Sequence, residues 1–182
     1  MSQVITLYHT NSKEKCNDFL SNSKLIIADE NGGPWLGKGM YFWDNLSNSH
    51  YWAKEKIRKE KLSECTILSV VVEYNLENLL DLTDLEVTNR IYDLWFLYCE
   101  RNHNSTRKDL GVILNILFRT LSELSEKYHI IKAIGNNYNV NSNLLNNNYS
   151  KRIGISINAK TIYNVRVSHI IKSKSQKEVY YG

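Results

Sequence analysis

The spacing of apolar residues changes character twice along this chain, and that alternation limits its fold more than any other feature. Val4-Ile5-Thr6-Leu7-Tyr8 is rich in β-branched and aromatic residues and reads as a strand. Thr66 to Glu73, with Ile67, Val70, Val71 and Val72, reads as a central strand, and Leu79 to Thr83 as a weaker one. From Leu85 the spacing becomes helical. One helix is expected over Leu85 to Arg101 and another over Arg107 to Tyr128, where Leu110, Ile113, Leu114, Leu117, Leu121 and Leu124 share a face. Ile130 to Ile134, Arg152 to Ile157 and Tyr163 to Ile171 return to strand, the last two separated by a turn at Asn158-Ala159-Lys160. Strands at both ends of the chain with helices between them predict an α+β fold on a mainly antiparallel sheet.

With 182 residues, 42% of them hydrophobic, the chain suffices for one domain, residues 1–182, with a real core. It shows no internal repeat, and its single proline, Pro34, excludes a Pro-rich linker. Its apolar runs are too short to span a bilayer. Met1-Ser2-Gln3-Val4 does not open a basic-then-apolar leader, so the expected location is cytoplasmic, with no membrane partner. Cys16, Cys65 and Cys99 are odd in number and widely spaced; they are expected to be buried small hydrophobes, and no metal site is expected. The net charge of +4 permits an acidic partner without requiring one.

Between the first two strands of that frame the sequence is less regular. Asn11-Ser12 offers a helix cap, followed by Cys16, Phe19 and Leu20 on one face. Residues 29–37 have loop composition, and Gly39 to Trp43 reads as a short strand leaving the loop. Asn45 to Lys61 reads as a helix capped by Ser47, its charge run Lys54 to Lys61 being a solvated face. Further on, eight of the thirteen residues from Asn136 to Asn148 are Asn, a composition for an exposed loop.

Three local patterns carry chemistry. Tyr8-His9-Thr10 ends the first strand, where a ring nitrogen can meet a ribose hydroxyl and the backbone of Thr10 can meet an amide. In Trp35-Leu36-Gly37-Lys38-Gly39-Met40-Tyr41-Phe42-Trp43, two glycines that tolerate positive φ precede aromatic faces able to stack on flat heterocycles. Neither a P-loop nor a dinucleotide-binding glycine fingerprint is present. Composition alone reads this segment as a glycine turn entering a core strand. Ser47-Asn48-Ser49-His50-Tyr51-Trp52 opens the next helix with hydroxyls and a further stacking face.

Taken together, His9, Gly37-Lys38-Gly39-Met40-Tyr41-Phe42 and Ser47-Asn48-Ser49 with Trp52 resemble the signature of the ADP-ribosyltransferase superfamily, in its poly(ADP-ribose)-polymerase-like His-Tyr branch and small bacterial relatives. The resemblance covers residues 4–53. It implies split antiparallel sheets around an NAD cleft with a helical insertion, and NAD⁺ as co-substrate without a metal. By that resemblance His9 holds a ribose, Thr10 (in place of the usual Gly) clamps the nicotinamide amide through its backbone, and Gly39 lets the backbone approach. Tyr41 stacks on nicotinamide, Ser49 bonds the carboxamide, and Trp52, in place of the usual Tyr, closes the other side of the ring. The family's third position starts a late strand and is Glu in chain-forming polymerases. Here Ile153 aligns with it, while the acidic Glu178 falls after the last expected strand.

The resemblance therefore implies a mono-ADP-ribosyltransferase acting on a macromolecular acceptor, protein or nucleic acid, in the manner of a bacterial toxin or effector. Stacking and amide bonds would hold nicotinamide while the glycosidic bond breaks and the ribose becomes oxocarbenium-like. A non-catalytic NAD⁺ or ADP-ribose binding module is the alternative, motivated by Ile153. A third is an RNA 2′-phosphotransferase-like enzyme, supported only by the positive charge.

Overall fold

The computed structural model describes residues 2–27, 35–103, 108–136 and 159–182. Ile153, the strand expected over Arg152 to Ile157 and the Asn-rich segment beyond Asn136 lie outside the described residues. The first strand, β1, spans Ser2–Asn11 and is followed by α1 at Lys13–Asn22. Strand β2 (Met40–Trp43) leads into helix α2 (Leu46–Glu60), and β3 (Glu64–Asn75) is followed by the short β4 (Leu79–Asp81). Three helices come next: α3 (Leu85–Asn102), α4 (Leu110–Thr120) and α5 (Ser122–Lys127). Strands β5 (Ile130–Asn136), β6 (Ala159–Val165) and β7 (Ile171–Tyr181) complete the described elements. The architecture is mixed α/β with a mostly antiparallel sheet, as the sequence predicts, and no described helix is long and apolar enough to cross a membrane.

Among the described residues the sheet has seven strands in the order β4-β5-β6-β2-β1-β3-β7. Only β4 and β5 run parallel. β1 pairs with β3 along its whole length, from Ser2↔Asn75 to Asn11↔Thr66, whereas its only registered pair with β2 is Tyr8↔Trp43. The sheet thus consists of two well-paired halves, β4-β5-β6-β2 and β1-β3-β7, joined at one point.

Alternation along the strands separates the cores. Leu7, Phe42, Leu68 and Val70 pack with Cys16 and Phe19 of α1 on one side. Trp43, Leu80, Ile131 and Ile162 pack with Trp95 of α3 and Leu114 of α4 on the other. A smaller cluster joins Ala53 of α2 to Cys65 and Ile67 of β3. All three cysteines are free and buried, two of them in the larger cores and one in the smaller.

Four expectations are corrected. The cap of α2 is Asn45, whose side chain accepts from the Asn48 N–H at 2.9 Å; Ser47 lies inside the first turn. The helix expected over Arg107 to Tyr128 breaks at Leu121, where φ −113° and ψ 94° are extended, into α4, which buries Leu114, Leu117 and Phe118, and α5, which buries no residue fully. Ala159 and Lys160, read as a turn, begin β6. The strand expected over Tyr163 to Ile171 ends at Val165; a 3₁₀ turn at Ser168–Ile170 leads into β7, which contains Glu178 rather than preceding it. β7 is an edge strand rich in Lys and Ser, with weak apolar alternation and hence little signal.

Gly39 anchors β2 to β6. Its φ of +156° is unsuited to an L side chain, and an added Cβ would stand 1.8 Å from Asn164 Oδ1. Gly39→Ala is expected to destabilise the protein by about 2–4 kcal/mol, read from urea denaturation midpoints. Adding Asn164→Ala should recover only part of the loss, because the strained φ persists.

Candidate functional site

The site is assembled where the two sheet halves meet. His9 is buried, 7% exposed, at the end of β1 on the α1 side, its ring tilted against Phe42 with centroids 5.6 Å apart. Its Nδ1 lies 2.7 Å from the Tyr41 carbonyl oxygen of β2. A carbonyl can only accept, so Nδ1 carries the proton and Nε2 is left as an acceptor. That acceptor meets the Asn11 amide Nδ2 at 3.3 Å, and Asn11 Oδ1 in turn accepts from the Ser12 N–H at 2.9 Å. His9 therefore bridges the halves with a fixed tautomer and presents Nε2 to a neighbouring donor. Burial, reinforced by the Lys56 and Lys15 charges and opposed by the bond to Tyr41, pushes its pKa down to about 4.

On the opposite side of the sheet, Thr10 Oγ1 donates to the Ser49 carbonyl at 3.1 Å, tying β1 to the first turn of α2. A glycine at position 10 would lack this contact. Ser49 is fully buried and its Oγ has no hydrogen-bond partner among the described residues.

The glycine turn is held from beneath. The Tyr41 hydroxyl accepts from the Leu36 N–H at 2.7 Å and donates to the Gly37 carbonyl at 2.8 Å. Burial pushes its pKa up, so it stays a donor. Asn115 Oδ1 accepts from the Lys38 N–H at 2.6 Å, and Asn164 Nδ2 donates to the Gly37 carbonyl at 3.1 Å. Arg166 donates to the Lys38 carbonyl at 2.8 Å while its guanidinium lies 3.8 Å over the Phe118 ring. Burial lowers the Arg166 pKa to about 10, so it remains charged at neutral pH.

A cavity of about 250 Å³ opens beside this assembly. Helix α2 gives it Asn48, Trp52, Glu55 and Lys59, spaced four, three and four residues apart, hence one helix face. Trp43 of β2, Trp35, and Lys160 and Ile162 of β6 complete its main walls. The ring neighbours of Trp52 are Trp35 at 5.6 Å, Trp43 at 5.7 Å and Tyr51 at 6.1 Å. Of the residues given binding roles in the sequence, Trp52 lines the cavity; His9, Thr10, Gly39, Tyr41 and Ser49 do not. Glu178 contacts His50 through its carboxylate and also lies outside the cavity wall.

Sequence reasoning singled out the segment that holds Trp43 but missed Glu55, Lys59 and Lys160 as wall residues. Glu55 and Lys59 belong to the charge run of α2, which is exposed at Lys54, Arg58, Lys59, Glu60 and Lys61 and half-buried at Glu55. The helical spacing Asn48-Trp52-Glu55-Lys59 was the available signal. Lys160 could not be found while residues 158–160 read as a turn.

No family model matches the chain. It is 27% identical over 145 residues, 74% of its length, to an uncharacterized protein of Methanocaldococcus jannaschii, and the match spans 66% of that protein.

A neutral buried His9 makes stability depend on pH. The unfolded imidazole, near 6.5, binds a proton that the folded one, near 4, refuses. Its contribution is therefore intact above about pH 6.5 and is lost progressively as the pH falls toward 4. Between pH 7.5 and pH 5.0 the wild type should lose about 2 kcal/mol more stability than His9→Gln, measured by urea denaturation.

Proposed function

We propose that this chain binds NAD⁺, breaks its bond to nicotinamide and transfers a single ADP-ribose unit to a macromolecular acceptor. The observation that carries the reading is the His9 Nδ1 to Tyr41 carbonyl bond. It brings the two motifs of the ADP-ribosyltransferase resemblance together beside the Tyr8↔Trp43 junction of the sheet halves. A sheet parted there is what the split-sheet fold of that superfamily would require. Thr10 and Ser49, the proposed amide-binding pair, are joined directly, and the unpartnered Ser49 Oγ suits a carboxamide.

The cavity accommodates part of a dinucleotide; about 250 Å³ lies below the usual range of roughly 300–1,000 Å³ for small-molecule sites. A planar ring held between two others needs about 7 Å between their faces, twice the contact distance. Trp52 stands 5.6 Å from Trp35 and 5.7 Å from Trp43, so a ring cannot enter between them as they stand. Trp35, 53% exposed, is the wall that yields, and nicotinamide stacks on Trp52 in its place. Tyr41, with its hydroxyl committed to the glycine turn, supports this wall from below.

A second reading is a binding module that leaves NAD⁺ intact. The observation favouring it is that β6, the late strand paired with β2, begins Ala159-Lys160 and offers no carboxylate there.

Incubation with labelled NAD⁺ and cell extract should give labelled macromolecules with adducts one unit long by mass spectrometry, accompanied by nicotinamide. Trp52→Ala should weaken NAD⁺ binding about tenfold or more by calorimetry. Binding without nicotinamide release would establish the second reading; neither binding nor release would exclude both.

A further inference from the structure

The cavity walls combine aromatic rings with an excess of positive charge. Three of the chain's four tryptophans, Trp35, Trp43 and Trp52, line it together with Tyr51. Lys59 and Lys160 stand on the same walls, against Glu55 as the single carboxylate among the described lining residues. That carboxylate is already shared: Arg58 Nη2 lies 2.8 Å and Lys59 Nζ 3.8 Å from its Oε2. The Lys59 amine also stands 5.7 Å over the Trp52 ring.

The charge continues out of the cavity around α2. At about 100° per residue, the order around the axis from Trp52 is Lys59, Asn48, Glu55, Tyr51, Arg58 and Lys54, within an arc of about 160°. Lys54, Arg58 and Lys59 are exposed. Glu60, the other acid of this helix, is on the opposite flank of Trp52 and pairs with Lys56. Along the cavity and this arc, Lys54, Arg58, Lys59 and Lys160 therefore stand against one carboxylate. Two of the rings are open to solvent, Trp35 at 53% and Tyr51 at 36% exposure.

We infer that this face binds single-stranded nucleic acid, with phosphates on the three lysines and Arg58 and unstacked bases on Trp35 and Tyr51. Cations that track a backbone beside rings that stack on bases are what a single strand requires. An acidic protein segment would use the cations and leave the rings idle. A membrane surface would need rings that protrude together, whereas Trp43 is buried and Trp52 half-buried in a cavity wall. A duplex keeps its base faces stacked and offers only phosphates and groove edges. On a helix about 10 Å across, the arc is about 14 Å long, which leaves room for more than one phosphate. This binding does not depend on NAD⁺; the strand's role as the acceptor rests on the transfer proposed above. The nicotinamide proposed there uses Trp52, which leaves Trp35 and Tyr51 for a base.

The test uses the full chain without NAD⁺ and labelled oligo-dT and oligo-U strands, read by fluorescence anisotropy over a range of salt; the tighter of the two identifies the sugar. A single strand should bind at least about tenfold tighter than a duplex of the same length, with a log Kd against log salt slope of about 3, as four phosphate contacts give. Lys54→Gln combined with Arg58→Gln should reduce that slope by about 1 to 1.5. Trp35→Ala and Tyr51→Ala, at exposed positions, should each weaken binding about tenfold and leave the slope unchanged. Lys172→Gln, which removes a charge on β7, should keep Kd within about twofold. Equal or tighter binding of the duplex, of polyglutamate or of anionic vesicles overturns the inference, as does full affinity in both ring variants. Labelled NAD⁺ added to the bound strand then tests its role. Label on the strand supports it as acceptor, and label on proteins alone overturns that role while NAD⁺ cleavage stands. Strand binding without nicotinamide release removes the cleavage and leaves the nucleic-acid surface in place.

Discussion

The junction between β1 and β2 is the constraint on which the arrangement depends. Elsewhere the strands of each half are paired over most of their length, so their backbone groups are satisfied by the ladder. At the junction only Tyr8 and Trp43 are in register. His9 supplies what the ladder does not, by accepting burial and losing its charge so that a ring N–H can bond the Tyr41 carbonyl. A Leu at position 9 would satisfy the core on the α1 side but would leave that carbonyl short of a donor. The histidine is therefore a structural bridge that uses both ring nitrogens, Nδ1 on the Tyr41 carbonyl and Nε2 as acceptor from the Asn11 amide.

Helix α2 converts this junction into a cavity wall by giving its faces different tasks. Ser49 and Ala53 are buried toward β1 and β3, His50 reaches β7, and Asn48, Trp52, Glu55 and Lys59 border the cavity. Position along the sheet is set by apolar packing of Ala53 on Cys65 and Ile67, while Asn45 fixes where the helix starts. The polar side chains on the cavity face are thereby held on a rigid element and not on a loop.

How much of this was legible follows from which signals are local. The α+β class could be read because long runs such as Thr66 to Glu73 and the Leu repeat of α4 and α5 depend on period alone. The cap at Asn45 was displaced by two residues because Asn and Ser are both good caps and only the backbone decides between them. The junction could not be read at all: nothing in Tyr8 or Trp43 announces that pairing stops beside them. His9 and Tyr41 were singled out as a pair through resemblance, and their physical link, ring nitrogen to main-chain carbonyl, involves no side chain of Tyr41 that a sequence pattern could expose. The charge run of α2 concealed Glu55 because surface and cavity residues alternate within a single turn of that helix.

Two buried oxygens near the site that have no hydrogen-bond partner among the described residues differ in what they imply. Asn164 Oδ1 sits where the Cβ of any residue other than glycine at position 39 would be, and its amide nitrogen bonds the Leu36 and Gly37 carbonyls. That orientation places the nitrogen on two carbonyls at the expense of the oxygen, a trade internal to the fold. Ser49 Oγ has no such compensation. An unmet buried hydroxyl costs about 1–3 kcal/mol, and an alanine at position 49 would avoid that cost while keeping the backbone carbonyl that Thr10 uses. The fold alone therefore favours alanine. A ligand amide that reaches this hydroxyl reverses the preference, and it would do so beside the same helix face that carries Trp52 and Glu55.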